Sequence, residues 1–111
     1  MSKPWPLQNI LVALGLIFLL PAEAAAQDTA ERGKALVQDN CAECHAVGTE
    51  GGSPLEAAPP FRTLGQRYPV TNLEEALAEG IVTGHPGMPQ FVFEPDDVGA
   101  IIAYLQSIQR P

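Results

Sequence analysis

The sequence predicts a small all-α domain, three main helices joined by long loops, and three observations carry that expectation. Near the C-terminus Ile101, Tyr104, Leu105 and Ile108 recur at i, i+3, i+4 and i+7, which lines one face of a helix. No run alternates apolar and polar residues well enough to read as a strand. Between the helical stretches the chain is punctuated by proline and glycine, 11 and 10 of its 111 residues. Loops this extensive in so short a chain need something to pack against.

The first element is a leader. Lys3 gives a short positive start, Ile10 to Leu20 is an unbroken apolar run, Pro21 ends it, and Ala22, Ala24, Ala25 and Ala26 follow. That order is the layout of a secretory signal peptide over residues 1–26, with cleavage expected after Ala26. The apolar run is short of the roughly twenty residues that a membrane span needs. No later stretch could cross a bilayer, so residues 27–111 are expected to form one exported domain that is not integral to a membrane. Lys3 and Glu23 leave together, so the net charge of −7 survives the cut. An acidic surface argues against nucleic acid and anionic lipid, and favours partner proteins with a basic docking surface. The hydrophobic fraction of 46% is inflated by the leader. A domain of this size buries only about 60–65% of its unfolded surface and usually needs a staple.

Asp28 and Thr29 offer N-caps to a helix over Ala30–Asn40, with Leu36 and Val37 among its apolar positions. Its tail enters Cys41-Ala42-Glu43-Cys44-His45. Val47 to Pro60 reads as loop. Thr71 and Asn72 open a second helix running to about Val82, and Glu74 and Glu75 each stand three residues beyond a cap, as a capping box requires. Gly84 to Gln90 is again loop. The last helix spans Glu94–Gln109, with Pro95 at an allowed first-turn position and Asp96 and Asp97 near its positive end.

Cys41-Ala42-Glu43-Cys44-His45 is C-x-x-C-H, the attachment sequence of c-type haem. Two thiols must reach two vinyl groups on neighbouring edges of one porphyrin, and two intervening residues in a helical turn put both sulfurs on one side. His45 can then direct a ring nitrogen at the iron. One covalent haem c would supply the core that the chain lacks. Three other readings compete: a thioredoxin-like pair, a zinc site and a short-loop disulfide. The first should sit beside a βαβ pattern, which is missing. Zinc needs four ligands, and the exported domain offers Cys41, Cys44, His45 and His85, two of them adjacent.

A sixth iron ligand is expected elsewhere. Apart from Met1, Met88 is the only methionine, and it sits in Gly84-His85-Pro86-Gly87-Met88-Pro89-Gln90-Phe91. Pro89 pushes Met88 toward extended backbone, and the two prolines stiffen the loop. A thioether held on a stiff loop suits a distal ligand; the alternative is a core-filling methionine. His/Met ligation raises the reduction potential. His85 is the rival ligand, able to take the position at raised pH or after loop opening.

These residues resemble the class I cytochromes c, the small soluble bacterial branch, over nearly the whole exported domain. C-x-x-C-H and the downstream Met88-Pro89 with Phe91 carry the resemblance. Gly33 and Val37 look like the family's contact surface on the first helix, whose partner is an aromatic on the last, here Tyr104. The resemblance implies that Pro59, in Ala58-Pro59-Pro60-Phe61, accepts a hydrogen bond from the ligand histidine and that Phe61 packs on the haem. Arg62, Arg67 and Tyr68 are candidates for the haem propionates. The implied protein is a monomeric electron carrier of the periplasm rather than an enzyme, its iron cycling between Fe(III) and Fe(II). An electron-transfer subunit of a periplasmic dehydrogenase or oxidase shares this chemistry. A haem peroxidase or gas-binding protein would need an open sixth position, against which Met88 argues.

Overall fold

A computed structural model describes Ser2, residues 22–80 and residues 87–111. Most of the expected leader, with its apolar run Ile10–Leu20, lies outside those residues. So do His85 and the expected end of the second helix at Val82. The described chain holds three α-helices: α1 (Ala22–Asn40), α2 (Leu73–Glu79) and α3 (Pro95–Ile108). Two 3-10 turns, Phe61–Gln66 and Val70–Asn72, precede α2. No strand occurs among the described residues, so the all-α expectation stands.

Helix α1 begins earlier than expected. Asp28 and Thr29 do not cap it; they lie inside it, and the Thr29 hydroxyl donates back to the Ala25 carbonyl at 2.9 Å. Ala22, Ala24, Ala25 and Ala26 explain the extension, because alanine has the highest helix propensity. Those first turns are exposed, so propensity rather than packing extends them, and the expected cleavage point after Ala26 falls within the helix. Helix α2 corrects the sequence reading at both ends. Thr71 lies in a 3-10 turn, and Asn72 already has helical backbone (φ −64°, ψ −14°) with no capping hydrogen bond from its side chain, so no capping box forms there. Gly80 ends the helix in the left-handed region (φ 72°), its N–H bonding the Ala76 carbonyl at 3.1 Å. Glycine adopts that conformation without the Cβ penalty. Helix α3 agrees to within one residue at each end, with Pro95 in the first turn.

The core is one cluster. Ile101, Tyr104, Leu105 and Ile108 of α3 are all buried against Val37 of α1 and against Phe61, Leu64 and Val70. Its centre is the crossing of α1 with α3. A Cβ on Gly33 would stand 1.9 Å from the Ala100 carbonyl oxygen and 2.9 Å from Tyr104 Cβ. Glycine at that position lets the two backbones nearly touch. Ala100, 1% exposed, is the matching small residue on α3 and was not anticipated from the pattern. The Tyr104 hydroxyl donates to the Val47 carbonyl at 2.6 Å, which pins the loop after the cysteines to α3.

A second clamp is Gln109. Its amide donates to the carbonyls of Phe61 (2.8 Å) and Leu105 (2.7 Å), and its Oε1 accepts from the Gly65 N–H at 2.7 Å. One side chain therefore closes the end of α3 and holds the Phe61–Gln66 turn onto it.

Two outcomes follow. In Gly33→Ala the new Cβ must force α1 from α3; overpacking of about 3 kcal/mol exceeds the gain of about 1 kcal/mol in helix propensity. The melting temperature should fall by about 10 °C, as circular dichroism would read. The second outcome concerns Tyr104, whose phenol is pushed above its usual 10.0 by burial and then by Glu31. Below pH 10.0 the proton stays on in both folded and unfolded chains. As pH rises from there through the folded value, the unfolded chain ionises first and stability is lost. Tyr104→Phe, although weaker at pH 7 for want of the Val47 bond, should show a flatter decline in denaturant midpoint above pH 10.

Candidate functional site

The C-x-x-C-H segment is a helical turn carried on the end of α1. The Cys41 N–H bonds the Val37 carbonyl at 2.8 Å, and the N–H groups of Cys44 and His45 both reach the Cys41 carbonyl, at 3.2 and 2.9 Å. Cys41 and Cys44 carry free thiols and are partly buried. Burial pushes the Cys41 thiol up to about 11, so it stands as a neutral group against an apolar surface.

The loop that follows folds back and fastens the histidine. The Ala46 N–H donates to the Ser53 hydroxyl (2.9 Å), the Leu55 N–H to the Cys44 carbonyl (3.1 Å) and the Phe61 N–H to the Ala46 carbonyl (3.0 Å). This return path sets Pro59 beside His45. The His45 Nδ1 lies 2.8 Å from the Pro59 carbonyl oxygen. A carbonyl can only accept, so the proton is on Nδ1 and the lone pair is on Nε2. The Phe61 ring packs on the imidazole, centroids 4.6 Å apart at 34°. Imidazole orientation and tautomer are thus both set by protein groups.

His45 and Met88 line the same two adjoining clefts. The inner cleft is walled by Val37, Phe61, Leu64, Leu73, Leu77, Ile101 and Leu105, so every helix and the first 3-10 turn contribute. The outer cleft opens beside Cys41 and Cys44. Cys41, Pro59, Pro89 and Phe91 belong to both. Met88 reaches them from a backbone set by Gly87, whose φ of 97° favours glycine, and the Pro-Gly-Met-Pro order is the signal for that bend. Phe91 stacks on Phe93 at 5.5 Å, and the Phe93 N–H bonds the Leu77 carbonyl at 2.9 Å, which ties the methionine segment to α2.

The structure therefore brings Cys41, Cys44, His45, Pro59, Phe61 and Met88 to one place. Tyr68 also lines the inner cleft, whereas Arg67 is exposed and lines neither. Arg62, beside Phe61, has a buried Nη1 without a hydrogen-bond partner. Leaving such a donor unsatisfied costs about 1–3 kcal/mol. Leu64, Leu73 and Leu77, not singled out from the sequence, complete the wall; an apolar residue looks alike whether it faces a neighbour or a cleft.

The lining is mainly apolar and carries two thiols, an imidazole and a thioether. Those donors and that apolar wall suit a c-type haem. Arg62, with its buried Nη1, lines neither cleft. Among the described residues, no three His, Cys, Asp or Glu side chains gather as a metal-ion cluster, and no helix is long and apolar enough to cross a membrane.

Comparison with known proteins points the same way. Residues 30–109 match the family model described as cytochrome c. A cytochrome c-553-like protein of Synechocystis is 29% identical over 84 residues, covering 76% of this chain and 73% of its own. Cytochrome c-552 of Bradyrhizobium diazoefficiens is 28% identical over 98 residues, covering 88% of this chain and 92% of its own. No solved structure matches.

Because a local glycine sets the approach of Met88, Gly87→Ala tests the arrangement. Among the described residues a Cβ there meets no neighbour, so the expected effect is one of backbone strain. At φ 97° that strain is about 1–2 kcal/mol. The expected result is a modestly lower denaturant midpoint, with a similar fall in Gly51→Ala, which is also at positive φ but lies outside both clefts.

Proposed function

The chain belongs to the cytochrome c family, whose members carry covalent haem c with its iron, and from that membership we propose that it is an exported electron carrier with His/Met-ligated iron. When bound, the haem supplies the Fe(III)/Fe(II) couple. The single observation that carries the reading is that His45, pinned by the Pro59 carbonyl, and Met88 line one cleft flanked by both cysteines.

In this reading Cys41 and Cys44 form the thioethers. His45 presents Nε2 as the proximal ligand, and the Nδ1–H···O=C bond to Pro59 holds the ring in one orientation and raises its basicity. Met88 is the distal ligand, a soft donor that favours the reduced state. Arg62, whose buried Nη1 has no hydrogen-bond partner, and Tyr68, which lines the inner cleft, would be the groups for the propionates. The apolar wall of Phe61, Leu64, Leu73, Leu77, Ile101 and Leu105 excludes water. A dry and rigid surrounding limits the reorganisation that accompanies a change of charge, which is what an electron carrier requires. Residues 1–26 act as the export signal, and the periplasm is where the domain works.

His85, three residues before Met88, is the reserve ligand. In the haem-loaded protein, Met88→Ala should abolish the weak ferric band of sulfur ligation, lower the potential and leave a low-spin bis-histidine spectrum. A high-spin, water-ligated spectrum would remove His85 from the account. Retention of the sulfur band would remove Met88.

A further inference from the structure

The two residues that follow α3 hold both stretches of chain that flank His45. One flank is the loop after the histidine, residues 46–49, and the other is residues 59–66. Gln109 leaves the helix with extended backbone (φ −63°, ψ 137°). Its amide donates to the Phe61 carbonyl, and its Oε1 accepts from the Gly65 N–H. The Arg110 N–H donates to the Arg62 carbonyl at 3.0 Å, and the Arg110 guanidinium donates to the Thr49 carbonyl. The flanks are joined to each other by the Phe61 N–H on the Ala46 carbonyl at 3.0 Å and by His45 Nδ1 on the Pro59 carbonyl at 2.8 Å. Gly48, Gly51 and Gly52 of the loop stand in open space, so its fixing falls to bonds such as that of Arg110 and that of Tyr104 to Val47.

We infer that Gln109 and Arg110 are positioning residues for the proximal ligand: by fixing the two flanks they set the His45–Pro59 hydrogen bond, and through it the donor strength of Nε2 toward the iron. The inference rests on the reading of His45 as that ligand. Neither residue lines a cleft, so both act through the backbone. The link is the steep dependence of a hydrogen bond on distance and angle. A short bond from Nδ1–H to a carbonyl makes the imidazole more basic, which favours the ferric state. Once the Phe61 carbonyl is released, Pro59, two residues earlier, can recede and the bond lengthens. The imidazole then donates less to the iron, and the reduction potential rises. The Arg110 side chain acts on the other flank, one step further from Pro59, and its loss has the smaller effect.

The test uses the full haem-loaded chain. Gln109→Ala removes every bond of the amide, whereas Gln109→Glu keeps the acceptor for Gly65 and loses the donor to Phe61. Arg110→Ala releases Thr49, and Arg110→Lys keeps a donor there. Val98→Ala is the control, because Val98 is buried near the start of α3 and lines the groove with α2 rather than either cleft. It lowers stability away from His45. The potential should rise in Gln109→Ala and Gln109→Glu, rise less in Arg110→Ala, and hold in Arg110→Lys and Val98→Ala. In Gln109→Ala the Phe61 amide, which bridges the flanks, should exchange with solvent about tenfold faster relative to the Leu105 amide in the core of α3.

A potential unmoved by Gln109→Ala, or moved as far by Val98→Ala, would overturn the inference. If Gln109→Ala fails to take up haem, the exposed Arg110 decides, and equal potentials in Arg110→Ala and Arg110→Lys would overturn it. Failure of the ligand reading looks different: the unmodified protein would then lack the low-spin spectrum of histidine-bound iron, whatever the Phe61 amide does, and the inference would fall with it.

Discussion

The structure depends on a space its own side chains do not fill. Val37, Phe61, Leu64, Leu73, Leu77, Ile101 and Leu105 come from four different elements, and all line the inner cleft. A chain with so many loops cannot bury enough surface by helix contact alone. The cofactor of the family is therefore part of the core as well as the redox centre. Attachment at Cys41 and Cys44, as proposed, would tie that group to α1, the helix that crosses α3 at backbone contact.

Two clamps give the cleft its shape before the iron is considered. At one, Gly33 and Ala100 bring α1 and α3 together, and Tyr104 reaches across to the Val47 carbonyl. At the other, Gln109 holds the Phe61–Gln66 turn against the end of α3. The first fixes where the cysteines stand, and the second fixes Phe61, which packs on His45. Orientation of the imidazole thus follows from helix packing two steps away, through the side-chain hydrogen bonds of Tyr104 and Gln109.

How much of this was legible depends on whether the signal was local. The stripe Ile101, Tyr104, Leu105 and Ile108 is read by spacing alone, and all four are buried. C-x-x-C-H was read because its covalent demand falls on particular residue types, and the Gly33 and Tyr104 pair was read through the family resemblance. The start of α1 was misplaced because Asp28 and Thr29 resemble caps while the alanines before them continue the helix. Gly80 was passed over as a stop although a left-handed glycine ends α2. Gln109 gave no signal at all: its partner Gly65 is 44 positions away, and nothing local distinguishes a clamp from an exposed glutamine.

The central claim is that the covalently held group completes the core, and unfolding tests it most directly. Cys41→Ala/Cys44→Ala, exported beside the unmodified protein, would be compared with it by far-ultraviolet circular dichroism during heating. The account expects a cooperative transition in the haem-loaded protein and none in the variant, whose apolar wall has nothing to close upon. A cooperative transition in the variant at the same midpoint would show that the helices make a sufficient core by themselves and would contradict the account.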